Sequence, residues 1–74
     1  MEKLIIEHPG TKFFNELAEK IRLMLEVDLG YETDTMVGKS DGQLTVMTEE
    51  GMDIFSTSVV PTLAALQLYV ALGT

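Results

Sequence analysis

Residues 11–30, TKFFNELAEKIRLMLEVDLG, are apolar on one side only, and that feature excludes most folds for so short a chain. At 100° per residue, Phe13, Phe14, Leu17, Ala18, Ile21, Met24 and Leu25 fall within an arc of roughly 140°. Asn15, Glu19, Arg22 and Glu26 take the opposite side. A helix with a single apolar stripe is stable only when a second layer covers that stripe. Thr11 (or Gly10) is the expected N-cap, and Gly30 the expected stop.

The flanking segments have the period of that second layer. KLIIEH, residues 3–8, is a short apolar run ahead of Pro9-Gly10 and reads as a strand. From Thr33 onward Thr, Val and Met alternate with polar residues. Asp41-Gly42 lies between two β-prone runs, a hairpin signal that predicts pairing of Thr33–Val37 with Gln43–Thr48. Glu49-Glu50-Gly51 is a second turn, and Met52–Phe55 a third segment of the same kind. The predicted fold is α+β: a small antiparallel sheet, hairpin or meander, packed by two helices on one face. The approximate order is βαβββα, in one compact domain over residues 1–74.

The second helix is expected from about Ser58, with Pro61 in its first turn. STSVVPTLAALQLYVALGT, residues 56–74, holds no charged side chain. Val59, Leu63, Leu66 and Val70 form one stripe, and Leu68 and Leu72 lie nearly opposite with Ala65 beside them. A helix apolar on two sides is normally covered on two sides. One stripe is expected against the sheet, the other at a homo-oligomer interface through Ala65, Leu68, Tyr69 and Leu72. A dimer is the favoured assembly. A membrane span is not expected, because Val59–Leu72 falls short of the 18 or more apolar residues required and contains Pro61, Thr62 and Gln67.

With 74 residues the core is small, and without cysteine neither disulfides nor thiolate metal sites can reinforce it. Oligomerisation is the remaining common support. MEKLII is too short and too acidic to read as a signal peptide, so a cytoplasmic location is expected. The net charge of −7 lies wholly within residues 26–53, where eight carboxylates face Lys39. Direct nucleic-acid binding is not expected with that sign, since phosphate neutralisation needs clustered Lys and Arg.

No catalytic constellation assembles. His8 stands alone between Glu7 and Pro9, and Ser40, Ser56 and Ser58 lack a base and an orienting group. Gly38-Lys39-Ser40 lacks the first glycine of a phosphate loop and precedes a strand. Aligning Gly42 or Gly30 with the invariant glycine of a calcium loop puts Val37 or Leu25 where a carboxylate is needed. EVDLGYETDT has the acidity of the phosphopantetheine attachment segment of acyl carrier proteins but no serine after an Asp. The chain is therefore expected to be no enzyme and to take no cofactor or metal.

Two functions fit these residues. The first is a small acidic protein-binding or inhibitory module that occupies a basic, nucleic-acid-binding surface of a partner protein through Glu32, Asp34, Asp41, Glu49, Glu50 and Asp53. Small acidic inhibitors from phages and mobile elements act as DNA mimics, an analogy of size and charge. The alternative is a homo-oligomeric structural module, or a sponge for a small ligand held at the protomer interface.

Overall fold

The computed structural model describes residues 3–38, 42–57 and 70–71. Its elements are β1 (Lys3–His8), α1 (Lys12–Leu23) continued by a π-helical turn (Met24–Asp28), β2 (Glu32–Val37), β3 (Leu44–Thr48) and β4 (Asp53–Thr57). The strands form one sheet in the order β2-β1-β3-β4.

β1 is central because its alternation is the most completely used. Leu4, Ile6 and His8 are buried on the face toward α1, and Lys3, Ile5 and Glu7 are half-buried on the other. β2 pairs with β1 in parallel, Lys3 opposite Glu32 through His8 opposite Val37. β3 pairs with β1 antiparallel, Leu4 opposite Thr48 through Glu7 opposite Thr45. The sheet is thus mixed, and the expected hairpin between residues 33–37 and 43–48 is not formed, because β1 lies between the two strands. A turn signal such as Asp41-Gly42 is local, whereas the pairing is set by the helix returning the chain to the starting end of β1. The tight hairpin lies instead between β3 and β4. There Gly51 N donates to Thr48 O at 2.9 Å, Thr48 N donates to Met52 O at 2.9 Å, and Gly51 has φ +91°. β4 carries a bulge: Val46 faces Phe55, but Met47 faces Asp53, leaving Ile54 as the extra residue.

α1 forms where its periodicity predicts. Thr11 has extended backbone and its Oγ1 accepts from Phe14 N at a long 3.4 Å. Phe14, Leu17, Ala18, Ile21 and Leu25 are buried against Leu4, Ile6, Leu44, Val46 and Phe55. Phe13, at the margin of the predicted arc, is exposed and meets Phe14 edge to face with centroids 5.0 Å apart. The π turn widens the helix end by one residue: Leu29 N donates to Met24 O at 3.2 Å and Tyr31 N to Leu25 O at 2.9 Å, across Gly30 at φ +78°.

The expected second helix falls mostly outside the described residues. Val70 and Ala71 are helical, and Val70, on the stronger predicted stripe, is 79% exposed. No helix among the described residues is long and apolar enough to cross a membrane.

Candidate functional site

The sheet topology gathers the acidic residues at one end. β1 and β2 start there, β3 finishes there, and β4 starts there. Glu32 and Asp34 on β2, Glu49 and Glu50 in the β3–β4 turn, and Asp53 at the head of β4 are all exposed at this end. Asp34, Ile5, Met47 and Asp53 form one row across the sheet. Two carboxylates therefore flank the sheet's other face about 14 Å apart, three strand spacings. Asp41 lies outside the described residues, as do Ala65, Leu68, Tyr69 and Leu72.

Lys3 sits among these carboxylates. Its Nζ is 2.6 Å from Asp34 Oδ2, and that hydrogen bond, with the fields of Asp34, Glu49 and Glu32, raises its pKa. An exposed pair of this kind adds little stability.

A second group links the helix end to β2. Arg22 contacts Glu19 Oε1 and Glu26 Oε1, each at 2.6 Å. The Glu19 carboxyl is held below its usual range by the hydrogen bond from Arg22. Glu26 Oε2 accepts from the Thr33 hydroxyl. Between the π turn and β2 lies an open groove of about 460 Å³, lined by Lys3, Glu26, Tyr31, Glu32, Thr33 and Asp34. Sequence reasoning selected Glu32 and Asp34 but missed Lys3, Glu26, Tyr31 and Thr33. A parallel return of β2 onto β1 is what brings Lys3 to them, and no local pattern encodes it.

His8 lies at the opposite end, buried, with Nδ1 accepting from Gly10 N at 3.0 Å. Its role is to close the turn after β1. Among the described residues no three His, Cys, Asp or Glu side chains converge closely enough to hold a metal ion. Comparison with protein-family models, curated proteins and solved structures finds no match.

Proposed function

We propose that this protein is a small acidic binding module that occupies a basic surface of another protein, in the manner of a nucleic-acid mimic. The observation that supports this reading is the exposure of Glu32, Asp34, Glu49, Glu50 and Asp53 at one end of the sheet, where Lys3 pairs with Asp34 and also feels Glu49 and Glu32. The carboxylates come from two short clusters, residues 32–34 and 49–53, that the sheet brings to the same end. A negative field speeds association with a basic partner and penalises acidic ones.

The test is affinity capture from a nuclease-treated lysate. The bait is the wild type or a variant carrying Glu32→Gln, Asp34→Asn, Glu49→Gln, Glu50→Gln and Asp53→Asn. A stoichiometric nucleic-acid-handling protein that leaves at high salt and ignores the neutralised bait is expected. Equal capture by both baits would remove the basis of the proposal.

A second reading, homo-oligomerisation through the C-terminal apolar segment, is favoured by the exposure of Val70. Sedimentation equilibrium at rising protein concentration decides it, a monomer throughout being the adverse result.

A further inference from the structure

We infer that the outer edge of β2 is a strand-docking site for an extended segment of the partner with the order apolar–x–basic–x–basic. The inference rests on the proposed acidic binding surface and specifies how that surface engages.

The edge is open. β2 is the terminal strand, and five of its six residues, all but Thr33, are exposed. Gly38 N donates to His8 O at 3.1 Å, which fixes the alternation of the parallel ladder. Carried back along β2, it turns the backbone of Glu32, Asp34 and Met36 toward β1. The N–H and C=O groups of Thr33, Thr35 and Val37 therefore point outward, where the described residues offer them no strand. Natural edges are commonly protected by charged side chains, Pro or a bulge; β2 has no Pro and no bulge, and its two charges, Glu32 and Asp34, discourage acidic strands but not basic ones.

The side chains along this edge select the occupant. Glu32, Asp34 and Met36 line the face away from α1, and Thr33, Thr35 and Val37 the face toward it. An incoming antiparallel strand places its side chains beside Met36, Asp34 and Glu32 in turn, so apolar–x–basic–x–basic is the complementary order. A second copy of this chain fits poorly. Pairing two β2 strands about Thr33 sets Glu32 against Asp34, about Asp34 sets that carboxylate on its own copy, and about Thr35 sets Asp34 on Met36; pairing about Met36 avoids these clashes but joins only residues 35–37 of each strand.

The probe is the acetylated peptide Thr-Leu-Val-Lys-Val-Lys-Thr, titrated into the isotopically labelled full chain and followed by amide shifts and amide exchange. Shift changes and slowed exchange at Thr33, Thr35 and Val37 are expected. N-methylation of both valines, whose N–H groups face β2, should weaken binding at least about tenfold, whereas N-methylation of both lysines should leave it unchanged. Equal binding of the valine-methylated peptide would overturn strand docking yet leave the acidic surface standing. Equal binding of a peptide with both lysines replaced by glutamate would overturn the basic partner and that surface together. Protection of the same amides by raising protein concentration alone would assign the edge to a second copy. Silence of every peptide at millimolar concentration would overturn the proposal outright.

Discussion

His8 is a titratable residue that folding buries. It is 2% exposed, and burial lowers its pKa because the charged imidazolium loses its hydration. The unfolded chain therefore takes up a proton first, and stability is complete above about pH 6.5 and falls as the pH drops below it. Protonation also turns Nδ1 into a donor against the Gly10 N–H, removing a hydrogen bond. Urea unfolding at pH 7.5 and pH 5.8 should show the loss, and His8→Leu should flatten it while costing about 1 kcal/mol at the higher pH. Gly10 itself is constrained twice. Its φ is +85°, and an added Cβ would stand 2.7 Å from Val37 Cγ1. Gly30, at φ +78°, has open space around its absent Cβ. Gly10→Ala is thus expected to cost more than Gly30→Ala, whose penalty is the left-handed conformation alone, about 1–2 kcal/mol. Paired denaturation curves of the two variants measure the difference.

At the scale of elements, what was legible was whatever depends on local period. The arc of Phe14, Leu17, Ala18, Ile21 and Leu25 follows from spacing and the cap at Thr11 from residue type, and the strand character of residues 3–8 and 44–48 was equally readable, whereas the strand expected over Met52–Phe55 runs on to Thr57. What was not legible depends on which strand reaches β1 first from each side. Asp41-Gly42 and Glu49-Glu50-Gly51 look alike as turn signals, yet only the second joins neighbouring strands. The candidate site shares that limit: Glu32 and Asp34 were readable as acidic, but their position beside Lys3 follows from parallel pairing. The π turn was equally hidden, since a wheel drawn at 100° per residue assumes the α-helical rise it departs from. Glu26 holds this turn to β2 through Thr33 and to α1 through Arg22. A double-mutant cycle of Glu26→Gln with Thr33→Val should therefore give a coupling energy of about 0.5–1 kcal/mol. A coupling near zero would mean that the Thr33–Glu26 hydrogen bond does not hold the turn.

For the molecule as a whole, like charges crowded at one end oppose folding at low ionic strength. Raising salt from about 10 to 200 mM shortens the screening length from about 30 Å to below 10 Å. The melting temperature is expected to rise over that range. Lys3→Gln should lower it at low salt and lose most of its effect at high salt; a salt-independent melting temperature would show that the acidic groups are too far apart to interact. The architecture also has a kinetic side. Every other strand depends on β1 directly or through β3, yet its partners lie far along the chain, Glu32 against Lys3 and Thr48 against Leu4. Pairings so distant in sequence must close long loops before they gain contact energy, which slows folding relative to a helical chain of equal length. During synthesis the residues destined for the centre of the sheet are made before either neighbour exists. The edge of β1 that β3 pairs with stays open until β3 has emerged, and the nascent chain is most open to wrong partners in that interval.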